Sequence, residues 1–179
     1  MPRCAPRKPP VPEQNRDRPY DAAFWRQLSP SQLETALETL NDSEADFVRD
    51  DWILRARPEQ LPPHQDWRIW LFLGGRGAGK TRSGAEWIAE GVANRTMQRI
   101  GLIGATYNDA RAVMIEGTSG LLMASEGATF EPSNRRIKWS GNGAIATVLS
   151  ADEPDGIRGH QFDAIWADGD RAPKKGAKA

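Results

Sequence analysis

The chain has 179 residues, enough for one domain with a hydrophobic core but short for two. The chain has 24 basic residues (lysine and arginine) and 24 acidic residues (aspartate and glutamate), so its net charge is zero. The overall charge therefore gives no reason to expect nucleic-acid binding. The single cysteine, Cys4, excludes an internal disulfide and fits a reducing cytoplasm, and no apolar stretch approaches the roughly 18–20 residues of a membrane helix.

The first third of the chain predicts a polar tail followed by a helical region. Residues 1–19 are rich in proline and arginine without apolar periodicity, which predicts a disordered tail, although a basic arm that touches DNA would have the same composition. Residues 20–57 have a helical pattern, and Ser29-Pro30-Ser31-Gln32 predicts a capped helix start. A second helix is expected to end near Ala56, and a proline-containing connector follows.

Residues 69–93 have the pattern of a strand, a glycine-rich loop and a helix. The apolar run 69–73 predicts a buried strand, and the apolar spacing at 85–92 predicts an amphipathic helix. Between them, residues 74–81 match G-x-x-x-x-G-K-[ST] at every position. A phosphate-binding loop (P-loop) is therefore predicted. A chance glycine-rich turn is the alternative, but it would not explain the strand and the helix on either side.

The P-loop predicts a set of ATP contacts. Its glycines allow the backbone to approach an anion, and the positive end of the following helix adds attraction. Lys80 is expected at the β- and γ-phosphates, the Thr81 hydroxyl at Mg²⁺, and Arg76 at the γ-phosphate. The predicted ATP-binding residues of the loop are Gly74, Gly75, Arg76, Gly77, Ala78, Gly79, Lys80 and Thr81.

Two more buried strands and a hairpin are predicted after this unit. Residues 100–104 and 162–168 each predict a strand, and Thr106 predicts the start of a helix. Apolar and polar residues alternate around Trp139, and Asn142-Gly143 predicts a tight turn, so residues 136–149 form a predicted β-hairpin. The basic residues beside Trp139 would also suit single-stranded nucleic acid, but a half-exposed hairpin explains the same pattern.

Asp168 ends the last predicted strand, where a P-loop ATPase places the second oxygen ligand of Mg²⁺. An ordinary acid at the end of a strand is the alternative. Many such ATPases place a glutamate directly after this aspartate to activate the attacking water, and here that position is Gly169. Glycine has no side chain that could accept a proton, so hydrolysis of ATP is expected to be severely impaired.

Two residues outside the loop are candidates for contact with the nucleotide. Arg158 lies between Ile157 and Gly159 on a segment expected to be exposed and mobile, where it could reach the nucleotide of a neighbouring subunit. An ordinary surface arginine accounts equally well for Arg158. Gln60, upstream of the P-loop, could read the adenine edge, although a connector glutamine is the simpler interpretation.

Taken together, these motifs resemble the ATPase half of a phage-type terminase large subunit, and among these the DNA-packaging proteins of gene transfer agents and related prophages. The segments that carry the resemblance are residues 56–60, 70–87, 104–111, 116–122 and 158–168. The loop alone indicates only a superfamily, whereas the ordered set of segments is more specific. The resemblance covers roughly residues 20–168.

The resemblance implies an α/β fold of the P-loop NTPase class, with an additional-strand (RecA-like) three-layer sheet, incomplete here, with N-terminal helices and a β-hairpin insertion. It implies a cytoplasmic motor that uses ATP and Mg²⁺ to pump double-stranded DNA into a capsid. The implied partners are the capsid portal, the small terminase subunit and like subunits in a ring. It assigns Lys80 and Thr81 to phosphate and Mg²⁺, Asp168 to Mg²⁺, and Arg158 to a finger that acts on a neighbouring subunit.

The family pattern also includes a catalytic glutamate, further strands and a nuclease domain after Asp168, whereas residues 169–179 predict an unstructured tail. We therefore expect an ATPase domain over residues 20–168, truncated by a frameshift or an early stop and without the nuclease domain. In the family, one strand separates the strand of Asp168 from the strand before the P-loop. Without that strand, the two would pair directly or leave a gap with unpaired backbone groups.

Two other classes of function fit parts of the sequence. A non-enzymatic remnant would bind partner subunits or fold poorly, and ATP would not raise its melting temperature. Another P-loop enzyme, such as a small-molecule kinase, would need a lid and an acceptor pocket, and no segment after residues 100–104 predicts either.

Overall fold

A computed structural model of the chain describes residues 28–42, 51–63 and 67–169. It divides the chain into two compact units, Met1–Arg57 and Pro58–Ala179. The tail predicted at residues 1–19, the part of the helical region at 43–50 and residues 170–179 lie outside the described residues. Every helix in the described ranges is too short or too polar to cross a lipid bilayer.

The first unit contains two described helices, α1 at Pro30–Glu38 and α2 at Trp52–Arg55. The predicted capping box of α1 is confirmed, because the Ser29 hydroxyl accepts from the Gln32 N–H at 3.4 Å and the Gln32 side chain accepts from the Ser29 N–H at 2.9 Å. Helix α2 ends before Ala56, as predicted, and Asp51 caps its start. The start of α1 and the end of α2 therefore lie where the sequence indicated.

The second unit is built on a five-stranded mixed sheet in the order β2-β3-β4-β1-β5. The strands are β1 Arg99–Gly104, β2 Ala128–Glu131, β3 Arg136–Trp139, β4 Ile145–Ser150 and β5 Ala164–Asp168. The central strand β1 pairs in parallel with β4 and β5, whereas β3 is antiparallel to β2 and β4. The predicted hairpin is confirmed as β3 and β4, and the α/β fold class is confirmed with it.

Helices connect and cover these strands. They are α3 Lys80–Ala93, α4 Tyr107–Asp109 continuing as a π-helix at Ala110–Ile115, and α5 Leu121–Ala124, with 3₁₀ turns at Pro58–Gln60, Pro132–Asn134 and Pro154–Ile157. The predicted cap of α4 is confirmed, since the Thr106 hydroxyl accepts from the Asp109 N–H at 3.1 Å. The amphipathic helix predicted after the P-loop is confirmed as α3.

One face of the sheet carries the hydrophobic core. The register places Ile100 and Leu102 beside Ala146, Val148, Ala164 and Trp166 on that face, and all are buried with residues of α3, α5 and the π-helix. On the other face, Ile145 is 37% and Ile165 49% exposed. The helices described in this unit thus form one layer against the sheet, and a third layer is not present within residues 67–169.

The prediction of a buried strand at residues 69–73 is wrong. This segment lies outside the sheet, and Ile69, Leu71 and Leu73 are 87%, 73% and 79% exposed. Trp70 and Phe72, which alternate with them, are half-buried and stack on each other with their ring centroids 6.2 Å apart. An extended segment becomes a buried strand only when a neighbouring strand satisfies its backbone groups. Direct pairing with β5, one of the two expected arrangements, does not occur.

Candidate functional site

The predicted P-loop, residues 74–81, adopts a turn that depends on glycine at two positions. Gly77 has a φ of 79° and Gly79 a φ of 83°, in the left-handed region that other residues rarely adopt. The Ala78 N–H donates to the Gly75 carbonyl at 3.2 Å and closes the turn. The chain therefore reverses tightly just before Lys80, the first residue of α3.

Helix α3 presents its N-terminal end to the loop. Gly79 is the N-cap and has no side chain with which to cap the helix. The first N–H of the helix to bond within it is that of Ser83, which donates to the Gly79 carbonyl at 2.9 Å. The N–H groups of residues 80–82 precede this bond, and the helix dipole gives this end a partial positive charge. Such an end attracts anions.

Thr81 and Asp168 meet at the edge of this loop. The Thr81 hydroxyl donates to Asp168 Oδ2 at 2.7 Å, although the two residues are 87 positions apart in the sequence. Thr81 lies in the first turn of α3 and Asp168 is the last residue of β5, and both are half-buried. A hydroxyl and a carboxylate, two of the oxygen ligands that Mg²⁺ accepts, are thus adjacent.

A close contact between α3 and β5 sets this geometry. Gly84 of α3 packs against the indole of Trp166, which is 7% exposed and lies two residues before Asp168. A Cβ at residue 84 would lie 2.2 Å from Trp166 Cε2, closer than side-chain atoms can approach. The missing side chain therefore allows the helix to approach the strand closely enough for Thr81 to reach Asp168. Sequence reasoning missed this pair, although glycine inside a helix was the available signal.

Asp163 fixes the other end of β5. Its carboxylate accepts from the backbone N–H groups of Arg99 at 2.8 Å and Gln98 at 3.0 Å. These bonds, with that of the Arg99 guanidinium, lower the pKa of the Asp163 carboxyl. Because β5 is anchored to the start of β1 in this way, the register carries Asp168 opposite Gly104 at the far end. The sequence pattern gave no indication of this role.

The Lys80 side chain folds back over the start of the loop. Its Nζ donates to the carbonyl of Gly74 at 3.0 Å and to that of Gly75 at 3.1 Å. The ammonium is thereby held over the loop that the sequence pattern assigns to phosphate. Lys80, Thr81 and Asp168 are in this way gathered around the N-terminal end of α3.

Gln60 lies against the loop from the side of the preceding connector. It ends the 3₁₀ turn Pro58–Gln60, is 7% exposed, and its Nε2 donates to the Ala78 carbonyl at 3.3 Å. A Cβ at Gly79 would lie 2.2 Å from the same Nε2. The carboxamide is thus packed on the peptide between Ala78 and Gly79.

The two arginines and Gly169 are less constrained. Arg76 is exposed in the turn of the loop. The Arg158 side chain is 84% exposed and pairs with Asp155 at 3.3 Å, not with a residue of the loop. Gly169 is exposed, and within the described part of the chain nothing but its immediate neighbours lies within 4 Å of the position that a Cβ would take. The structure therefore gathers the loop, Gln60 and Asp168, and it leaves Arg158 at the surface.

Comparison with known proteins places the chain beside a viral protein family. A family model described as terminase large subunit, T4likevirus-type, N-terminal, matches residues 71–176. This match spans more than half of the chain, from the segment before the P-loop past Asp168. A search of curated proteins and a search of solved structures gave no match.

Proposed function

Because the chain belongs to the terminase large-subunit family of the T4-like-virus type, we propose that its P-loop binds ATP with Mg²⁺ in the service of DNA packaging. Family membership supports a role in packaging in general, and it matches the resemblance found in the sequence. The nucleotide, the metal ion and the roles of single residues are the content of the proposal. The fold proposed with it is that of an additional-strand P-loop NTPase.

The hydrogen bond between Thr81 and Asp168 carries this proposal. A Mg²⁺ site of a P-loop enzyme needs a hydroxyl on the first helical turn and a carboxylate at a strand end. The 2.7 Å contact places such a pair together, and the fold brings it from distant parts of the chain. Thr81 and Asp168 would hold the Mg²⁺ ion, and the ion would neutralise negative charge on the phosphates.

The remaining groups of the loop suit the phosphates. The Lys80 ammonium now has two carbonyl oxygens as acceptors, and phosphate oxygens are stronger acceptors because they are charged. The N–H groups at the start of α3 add donors and a favourable dipole. Arg76, exposed in the loop, would contribute a further positive charge at the γ-phosphate.

Hydrolysis is proposed to be slow. The position after Asp168 is Gly169, so no side chain there can orient or deprotonate water. General base catalysis contributes about 10²–10⁴-fold to rates in enzymes that use it. We therefore assign the chain nucleotide binding with little turnover, which is distinct from an inactive remnant that would not bind nucleotide at all.

The partners follow from the same proposal. A packaging motor has as its partners double-stranded DNA, the capsid portal, the small terminase subunit and like subunits in a ring.

Arg158 is exposed on the segment before β5, and its pairing with Asp155 is a surface ion pair of the kind that contributes little stability. Arg158 can therefore exchange Asp155 for the phosphates of a neighbouring subunit.

Calorimetric titration of the full chain with ATP tests the proposal. Binding is expected in the presence of Mg²⁺, loss of binding in Lys80→Ala, and weaker binding without Mg²⁺. Asp168→Asn should bind ATP without Mg²⁺ as the unsubstituted chain does and should lose the strengthening that Mg²⁺ gives. Binding that is absent in a folded chain, or that survives Lys80→Ala at full strength, would overturn the proposal.

A further inference from the structure

Gln60 makes a contact that nucleotide reading does not require. It is buried, and its amide nitrogen donates to the Ala78 carbonyl inside the P-loop. A glutamine that reads a base would have to direct its amide to a ligand. Here the amide instead faces the backbone of the loop.

The orientation of one peptide group follows from this contact. The peptide bonds described are all trans. The carbonyl of Ala78 and the N–H of Gly79 therefore lie in one peptide plane and point in opposite directions. With the Ala78 carbonyl turned to Gln60, the Gly79 N–H is turned away from it. Gly79 has a left-handed φ of 83° and no side chain, a combination in which glycine has a wider conformational range than other residues.

We infer that Gln60 is a positioning residue, which holds the Ala78–Gly79 peptide so that the Gly79 N–H faces incoming phosphate. The inference rests on the proposed function, since it concerns the same loop. The ligand chemistry involved is that of a polyphosphate, and the base has no part in it. The close fit supports this role, because the amide nitrogen lies only 2.2 Å from the position that a Cβ of residue 79 would take.

This inference replaces adenine reading as the role of Gln60 and gives a different signature. A residue that reads adenine affects ATP and leaves GTP and inorganic tripolyphosphate unaffected. A residue that positions the loop affects all three by the same factor, because they share the phosphates. A merely structural role lowers the melting temperature of the ligand-free chain without changing the affinity of the folded protein.

The test is titration of the full chain with Mg²⁺ complexes of ATP, GTP and tripolyphosphate. Gln60→Met keeps the length of the side chain and removes the donor, and Gln161→Met, at an exposed glutamine, is the matched control. Gln60→Met is expected to weaken all three ligands by about 3- to 10-fold, as for a single neutral hydrogen bond. Gln161→Met should leave all three unchanged.

Other results would overturn the inference. A loss confined to ATP would mean that Gln60 reads adenine, and unchanged affinities would mean that the hydrogen bond does not position the loop. If Gln60→Met does not fold, Gln60→Leu also removes the donor without adding a charge, and it should weaken all three ligands by the same factor. An unsubstituted chain that binds none of the three would instead refute the proposed function itself.

Discussion

The Thr81 hydroxyl donates a 2.7 Å hydrogen bond to the Asp168 carboxylate, and this contact joins the first turn of α3 to the end of β5. Each residue alone is an ordinary helix or strand residue. Together they place two oxygen ligands beside the loop that the sequence pattern assigns to phosphate. The contact is therefore the most direct structural support for a Mg²⁺–nucleotide site.

Thr81→Ala should weaken binding of Mg–ATP by about 10-fold, in the range of a hydrogen bond or ligand involving a charged group. Thr81→Ser keeps the hydroxyl and should bind nearly as the unsubstituted chain does. Calorimetric titration with and without Mg²⁺ measures both variants. Equal losses in Thr81→Ala with and without the metal ion would contradict a role of Thr81 at Mg²⁺.

On the proposed function, Gly169→Glu should raise ATP turnover by about 100-fold or more, because the glutamate would act as a general base directly after Asp168. Gly169 is exposed, and among the described residues nothing but its chain neighbours lies within 4 Å of the new Cβ, so the substitution should fold normally. Steady-state release of phosphate measures the change, with Gly169→Gln as the matched control that lacks a basic carboxylate. Rapid turnover by the unsubstituted chain, dependent on Lys80, would show that another group activates the water.

Gly84→Ala should destabilise the fold by about 1–3 kcal/mol, the usual cost of overpacking a core. The new Cβ would meet the rigid indole of Trp166, so α3 and β5 must move apart. Gly91→Ala in the same helix is the control, because the atoms nearest to the new Cβ there belong to the flexible side chain of Met97. Denaturant unfolding compares the two, and an equal effect would mean that the contact with Trp166 adjusts freely.

Leu71→Lys should change the free energy of unfolding by no more than about 0.5 kcal/mol, as is usual for exposed positions. Leu71 is 73% exposed, whereas Leu102 in β1 is completely buried. Leu102→Ala should therefore cost about 2–5 kcal/mol. Chemical denaturation of both variants measures the difference. A large loss in Leu71→Lys would show that residues 69–73 are buried in solution, as the sequence pattern predicted.

The Glu131 carboxylate should contribute stability that depends on pH. Ion pairing with Lys138, followed by contacts of Asn134 and Arg136, lowers the pKa of Glu131 to about 2. A lowered pKa in the folded state means that the contribution is complete above the pKa of the unfolded chain and is lost as pH falls through about 2. The free energies of unfolding of the unsubstituted chain and of Glu131→Gln should therefore differ by a constant amount near neutral pH. This difference should disappear as the pH falls toward 2, and denaturant unfolding at a series of pH values measures it.

Local signals in the sequence predicted local structure well. Ser29 begins α1, Thr106 begins α4, and the Asn142-Gly143 turn joins β3 to β4, because each depends on backbone geometry within a few residues. The strand predicted at residues 69–73 fails for the opposite reason. An apolar run can show that a segment would pack well, but it cannot supply a neighbouring strand.

The amino-acid sequence by itself determined the glycine-rich loop, the helix that follows it and the chemical types of Lys80, Thr81 and Asp168. The tertiary structure alone decided that Thr81 meets Asp168, that Gly84 lets α3 approach Trp166, and that Gln60 donates to the Ala78 carbonyl. These contacts join residues far apart in the chain, and their distances depend on how strands align and how closely a helix packs. Spacing within a motif encodes backbone conformation, whereas only packing of the complete unit sets separations between elements.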